Sequence, residues 1–238
     1  MKWEAYVDQS KLSYGILSIT GPYEDSKGVR SLNDKDVARL FNSVKNGFLG
    51  WPVKSLVLAR LALPVSPEIF RGLIEGLLAL STLKAIHFRD DIVASPALTD
   101  LQVRILAEEV GEAKYLESLA LNVKDSGKIS GVLGQMISDN KSLTSFSSTH
   151  RDDKHVFPVF LAALLHNVTL KNLELKGVPY SCASAVMSSA FSPYSPSSRT
   201  NHLNVFFAKP KPRAPELLDV EIRAPSNTGQ LKKRKRPG

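Results

Sequence analysis

Leu116-Glu-Ser-Leu119-Ala-Leu121 places apolar residues at its first, fourth and sixth positions, and the same frame returns along the chain. Downstream it reads Leu143-Thr-Ser-Phe146-Ser-Ser148 and Leu170-Lys-Asn-Leu173-Glu-Leu175; upstream, Leu83-Lys-Ala-Ile86-His-Phe88 and Val53-Lys-Ser-Leu56-Val-Leu58. Degenerate copies, Tyr14-Gly-Ile-Leu17-Ser-Ile19 and His202-Leu-Asn-Val205-Phe-Phe207, flank the series. First positions are separated by 39, 30, 33, 27, 27 and 32 residues, a near-regular period too long for hairpins. Alternation at the fourth and sixth positions predicts a short strand with one apolar face.

Between the hexamers the apolar spacing turns helical. Ile69, Phe70, Leu73, Ile74, Leu77 and Leu78 form one stripe. Val37, Leu40, Phe41 and Val44 precede it; Leu101, Ile105 and Leu106 follow, then Ile129, Val132, Leu133, Met136 and Ile137, then Phe157, Phe160, Leu161, Leu164 and Leu165. Ser66-Pro67-Glu68 and Thr99-Asp100 are start signals. Asn140 and Asn167 stand where helices end, and are expected to be left-handed caps. Gly72 and Gly76 are expected to let their helix approach a neighbour closely. Each unit is therefore a strand, a loop, a helix and a return. Right-handed crossovers stack such units into a parallel sheet covered on one face by helices. A closed eight-strand barrel would need more chain.

These hexamers, each followed by an amphipathic helix, resemble the leucine-rich-repeat superfamily, in its long-period, ribonuclease-inhibitor-like form. The resemblance covers residues 14–208 and implies an α/β solenoid, or horseshoe, of about seven units. Parallel strands would line its concave face and helices its convex face. Residues 1–13, with Trp3, Tyr6, Val7 and Leu12, are expected to cap the first repeat, and residues 209–238 to form a basic, mostly disordered tail.

Positions one, four and six of each hexamer are expected to face the core. Positions three, five and seven are expected to face outward on the sheet. They give Ile16, Ser18 and Thr20; Ser55, Val57 and Ala59; Ala85, His87 and Arg89; Ser118, Ala120 and Asn122; Ser145, Ser147 and Thr149; Asn172, Glu174 and Lys176; and Asn204, Phe206 and Ala208. Small residues dominate the centre, and charges gather at the strand ends in Arg89-Asp90-Asp91, Lys124-Asp125 and His150-Arg151-Asp152-Asp153. A trough of small side chains with a charged rim can accept a convex protein element. The bland alternative is a solvated sheet face. On the binding reading, the partner-contacting residues are His87, Arg89, Asp90, Asp91, Ser118, Asn122, Ser145, Thr149, Arg151, Asn172, Glu174 and Lys176.

Catalytic chemistry has little support in the sequence. No phosphate-binding, dinucleotide-binding, zincin or nucleophile-elbow motif occurs. His150, Asp152, Asp153 and His155 are ligand types for a divalent ion, but they read more simply as a solvated turn, with Asp153 a helix cap. His87 with Asp90 or Asp91 lacks an activated nucleophile. Cys182, the single cysteine, reads as a buried thiol and excludes an internal disulfide framework. No enzyme activity, cofactor or metal is expected.

The chain has 238 residues, 43% of them hydrophobic and 23% charged, which excludes collagen, coiled-coil fibre and wholesale disorder. The longest apolar run, Val156 to Leu165, is half of the ~20 residues a spanning helix needs. Glu4 and Asp8 interrupt where a signal peptide would be apolar, so a soluble intracellular protein is expected, without membrane attachment.

Of the net charge of +8, the segment from Lys209 onward holds nine basic and three acidic residues, leaving +2 for the rest. Nucleic acid is accordingly not expected as a partner of the folded region. Ser192 and Ser195 stand in Ser-Pro dipeptides of a connector that could take proline-directed phosphorylation.

Lys232, Lys233, Arg234, Lys235 and Arg236 resemble a nuclear-import signal read by importin, which implies a nuclear or nucleocytoplasmic location. Non-specific anion binding, a solubilising end or a secretion signal are the competing readings. The expected function is non-enzymatic binding of a partner protein, either in a cellular regulator or in a bacterial effector secreted into a host cell. The alternative is an activator-like regulator of a GTPase using an exposed arginine, Arg89.

Overall fold

The structure is a computed structural model, and it describes residues 3–21, 30–59, 61–63, 66–89, 98–122, 127–149, 163, 166–176 and 204–208. Its strands are β1 (Ile16–Thr20), β2 (Arg30–Ser31), β3 (Ser55–Ala59), β4 (Leu61–Ala62), β5 (Ala85–Arg89), β6 (Ser118–Asn122), β7 (Ser145–Thr149), β8 (Asn172–Lys176) and β9 (Asn204–Ala208). Seven of them form one open sheet in the order β1-β3-β5-β6-β7-β8-β9, and every neighbouring pair is parallel. β2 and β4 make a separate two-stranded parallel sheet.

Each of the seven strands starts at the third position of its hexamer and ends one residue past the sixth. The ladder nevertheless begins earlier. Gly15 O accepts from Lys54 N (2.8 Å) and Ser55 N (3.0 Å), and Lys54 O accepts from Lys84 N (2.7 Å) and Ala85 N (3.1 Å). The pattern recurs at Lys84, Glu117 and Thr144, so one carbonyl column joins six consecutive units ahead of the regular strands. Repeated backbone conformation makes this possible, because equivalent donors and acceptors then meet at every step.

The helices are α1 (Asp34–Asn46), α2 (Pro67–Leu78), α3 (Asp100–Glu112) and α4 (Gly127–Asp139), packed each on the next. Asn33 and Thr99 start α1 and α3 with reciprocal capping boxes to Asp36 and Gln102. Pro67 occupies the first turn of α2, where its missing N–H costs nothing. The stripes predicted for α1, α2 and α4 bury Val37, Leu40 and Val44; Phe70, Leu73, Ile74 and Leu77; and Ile129, Leu133, Met136 and Ile137. They meet Leu56, Leu58, Ile86, Phe88, Leu119, Leu121, Phe146, Leu173 and Leu175 from the sheet in one core. A β-carbon on Gly76 would lie 2.9 Å from the Phe41 ring, which is the close α1–α2 approach expected there; Gly72 instead borders open space. The stripe at 157–165 falls mostly outside the described residues, although Ala163 is helical and buried.

Four expectations need correction. Tyr14 is 77% exposed rather than core-facing, because it closes a 3-10 helix (Gln9–Tyr14) before β1 begins. Leu101 is 51% exposed; α3 turns Gln102, Val103, Leu106, Ala107 and Val110 inward together with Ile105. Ser18 and Ala59 are buried rather than outward and open. Near Ser18 the amino-terminal segment lies along β1, with Val7 bridging Ile19 and Asp8 N–H donating to Ser18 O at 2.9 Å. Trp3 and Leu12 of that segment are buried in the core, and Tyr6 and Val7 pack against it.

The fourth correction concerns the asparagines. Neither Asn140 nor Asn167 has positive φ; both are buried, and their side chains replace the expected cap. Asn140 Nδ2 donates to Val110 O (2.5 Å) and Ala113 O (3.2 Å) at the end of α3, while Oδ1 accepts from Ser142 N (2.8 Å) and Leu143 N (2.5 Å). Asn167 repeats this one unit later, donating to Ile137 O (2.5 Å) and Asn140 O (3.0 Å) and accepting from Thr169 N (2.9 Å) and Leu170 N (2.7 Å). Each amide thus ties carbonyls at the end of the preceding helix to the turn into its own strand; Val110 O and Ala113 O also accept from Ala113 N and Ser142 Oγ.

Ser148 occupies the sixth hexamer position, where neighbouring units place Leu121 and Leu175. Its hydroxyl is fully buried and makes no hydrogen bond. Ser148→Ala is expected to raise stability by about 1 kcal/mol by removing a desolvated, unpaired polar group. Urea unfolding tests this, and a lowered midpoint would contradict it.

Candidate functional site

The sheet face away from the helices is built by register. Ser55, Ala85, Ser118, Ser145 and Asn172 are paired in sequence across β3, β5, β6, β7 and β8. Val57, His87, Ala120, Ser147 and Glu174 form the next row. Asn122, Thr149 and Lys176 align in the third row, and Arg89 lies beyond the last paired position of β5 and β6. Parallel strands in register bring equivalent positions within about 4.8 Å of one another, so residues roughly thirty apart in sequence become lateral neighbours.

Side-chain size shapes this face. From β3 to β7 its first two rows carry only Ser, Ala and Val, except for His87. His87 is half-buried among these short neighbours, and its Nε2 lies 3.0 Å from Ser118 Oγ. Ser147 Oγ donates to Glu174 Oε2 at 2.8 Å. Small side chains leave this face uncrowded, and the two cross-strand bonds fix its polar groups in place.

Burial, then the nearby Arg89 cation, holds the His87 pKa below the ordinary histidine value. The unfolded state therefore binds more protons near pH 6. The contribution is complete above the unfolded pKa, ~6.5, and is lost as pH falls through the folded value. Arg89→Ala should move the His87 titration upward in an NMR experiment; an unchanged midpoint would assign the shift to burial alone.

Of the predicted contact residues, the structure brings Ser118, Ser145 and Asn172 together in one row and Asn122 beside Thr149 in another. Glu174 joins His87 in the central row, two strands intervening, and Arg89 is exposed at a strand end. Lys176 is placed by its backbone in β8. Asp90, Asp91 and Arg151 lie outside the described residues, as do His150, Asp152, Asp153, His155, Cys182, the Ser-Pro connector and the basic tail. The sequence assigned no orienting role to Ser118 or Ser147. Their signal was present in the shared third and fifth hexamer positions, but bonding needs the register.

Among the described residues, no group of His, Cys, Asp and Glu is placed to hold a metal ion. No described helix is long and apolar enough to cross a membrane. On the helix side, a groove of about 370 Å³ runs between α2 and α3, lined by Pro67, Glu68, Arg71, Gly72, Glu75, Leu101 and Ile105.

No protein-family model and no curated protein sequence matches the chain. Among solved structures, actin-binding site 2 of leiomodin-1 is similar over 63% of this chain and 85% of that chain, at 16% sequence identity and a TM-score of 0.45.

Proposed function

We propose that the chain is a non-enzymatic protein-binding module of the leucine-rich-repeat kind, whose parallel sheet lines the concave side of a solenoid and receives a convex element of a partner protein. The observation that carries this reading is the run of Ser, Ala and Val over the β3 to β7 face, interrupted by His87 and edged by Arg89 and Glu174. Such a surface admits a partner's backbone and bulky side chains closely while polar groups remain to fix orientation. Ser118→Arg combined with Ser145→Arg would fill adjacent positions of one row. The double variant is expected to melt as the native protein does and to lose at least tenfold in affinity for proteins recovered with the native chain. Unchanged affinity would remove the sheet face as the binding surface.

Arg89 supports a second reading, a regulator acting on a bound GTPase. It is exposed at the end of β5, where a bound partner could be reached. Arg89→Ala separates the two: a binding module loses little affinity, whereas an activator keeps binding and loses the rate effect. For the tail, we propose that Lys232 to Arg236 direct nuclear import through importin. A large inert reporter carrying residues 226–238 should enter the nucleus, and a reporter left in the cytosol would refute this.

A further inference from the structure

The turns that lead from helix to strand all lie at the end of the sheet where its parallel strands begin. Residues 47–54, 79–84, 113–117, 140–144 and 167–171 form them, and each contains one lysine: Lys54, Lys84, Lys114, Lys141 and Lys171. The one carboxylate in these turns, Glu117, pairs with Lys84 at 3.2 Å. The last two residues of α1 to α4 add Lys45, Glu112 and Asp139, giving six lysines against three carboxylates. From β3 to β8 this row spans four strand steps, about 19 Å. The same end is also apolar. Tyr14, Leu49, Trp51, Tyr115 and Val168 stand there, and among the described residues Leu101 is the one large exposed apolar side chain that does not.

Leu49 is a misfit for folding. Phe48 and Trp51 exchange backbone hydrogen bonds at 2.9 Å around the two-residue tip Leu49-Gly50, and both tip residues have positive φ, 50° and 82°. Tips of this kind favour Asn-Gly, and a leucine in the left-handed region is strained. Core burial does not explain it, because Leu49 is 66% exposed and Trp51 47%. Phe48 meanwhile packs on buried Trp3 and anchors the finger beneath its tip. Tyr14 belongs to the same corner. A β-carbon on the adjacent Gly15 would lie 3.2 Å from both Pro52 O and Lys54 Cγ.

We propose that this end of the sheet docks on an anionic bilayer surface, with Leu49 and Trp51 inserted between headgroups and the lysine row against acidic lipids. One apolar anchor holds a bilayer only marginally, and stable attachment takes a basic patch as a second signal. Both are present here. Tryptophan and tyrosine settle at the membrane–water interface, whereas the aliphatic Leu49 and Val168 offer no ring on which a nucleic-acid base could stack. No membrane attachment is expected from the sequence, where these residues stand about thirty apart; stacking of the units gathers them. The surface is the end of the sheet rather than its face, so the proposal does not rest on the partner-binding reading above.

Trp51 supplies the probe. The chain has two tryptophans and Trp3 is fully buried, so an emission change on lipid binding reports Trp51. When the full chain meets vesicles of equal parts phosphatidylcholine and phosphatidylserine, the emission should move to the blue and be quenched by brominated acyl chains. High salt should weaken this binding at least tenfold, and phosphatidylcholine alone should give neither signal. Leu49→Asn installs a residue that the turn favours. It should keep or raise the melting temperature while lowering vesicle affinity at least tenfold. Lys54→Gln, Lys114→Gln and Lys171→Gln combined should lower affinity by a similar factor with folding intact. Vesicle binding that leaves Trp51 emission unchanged and ignores Leu49→Asn would assign the contact to the basic tail and overturn the proposal. Equal binding to neutral vesicles would overturn it too. So would a blue shift that grows with protein concentration without lipid, which would mean a second copy, or displacement of the vesicles by single-stranded oligothymidylate, which would mean a nucleic-acid surface.

Discussion

Asn140→Ala is expected to lower the unfolding free energy by about 3 kcal/mol, because it strands the Ser142 and Leu143 N–H groups and takes one donor from each of two carbonyls. The amide is the partner of Val110 O and Ala113 O on one side and of Ser142 N and Leu143 N on the other. No water can reach a residue of 0% exposure without opening the turn. A surface exchange nearby, Lys141→Ala, should cost less than about 0.5 kcal/mol. Chemical denaturation distinguishes the outcomes, and a loss below about 1 kcal/mol for Asn140→Ala would show that the turn re-satisfies itself. Asn140→Asp adds a pH signature. A carboxylate facing two carbonyl oxygens has its folded pKa raised, so the stability of its protonated form is present below the unfolded value of about 3.9. That stability is lost as pH rises through the folded pKa. The deficit of this variant should therefore widen from pH 4 to pH 7, whereas that of Asn140→Ala should track the native protein.

Gly47→Ala should cost a similar amount, about 3 kcal/mol, for a different reason. Gly47 ends α1 with φ 85° and ψ 156°, a region essentially reserved for glycine. A β-carbon there would also sit 2.7 Å from Trp51 O, in the turn where Phe48 and Trp51 exchange backbone hydrogen bonds at 2.9 Å. Gly50, in the same turn at φ 82°, has nothing within 4 Å of an added β-carbon, so Gly50→Ala should cost only about 1 kcal/mol. Thermal melts of the two variants give the comparison, and equal losses would remove the steric part of the explanation. The turn also carries Phe48 against buried Trp3, with ring centroids 5.6 Å apart, so its distortion would reach the amino-terminal segment.

The repeating frame was legible in apolar spacing alone. Apolar residues at the fourth and sixth hexamer positions fixed where the strands of the parallel sheet lie and which of their faces meets the helices, because alternation has one buried solution. Even the degenerate frames at Tyr14 and His202 led to strands, β1 and β9. Helical spacing likewise marked α1, α2 and α4, and the start signals Ser66-Pro67-Glu68 and Thr99-Asp100 marked where α2 and α3 begin. Local patterns sufficed for these because their causes are local. Tertiary structure decided the rest. Leu101 fits the apolar stripe by spacing yet faces out, since the rotation of α3 was set by its packing on α2 and α4 rather than by its own sequence. Asn140 and Asn167 looked like left-handed caps, but the carbonyls they satisfy belong to the preceding unit, 27 to 30 residues away. The pairs His87–Ser118 and Ser147–Glu174 likewise exist only once neighbouring strands are in register. Periodicity reports which face of an element is buried; it carries no information about which atoms of another unit stand opposite, and in a stacked fold those atoms make both the turns and the exposed face.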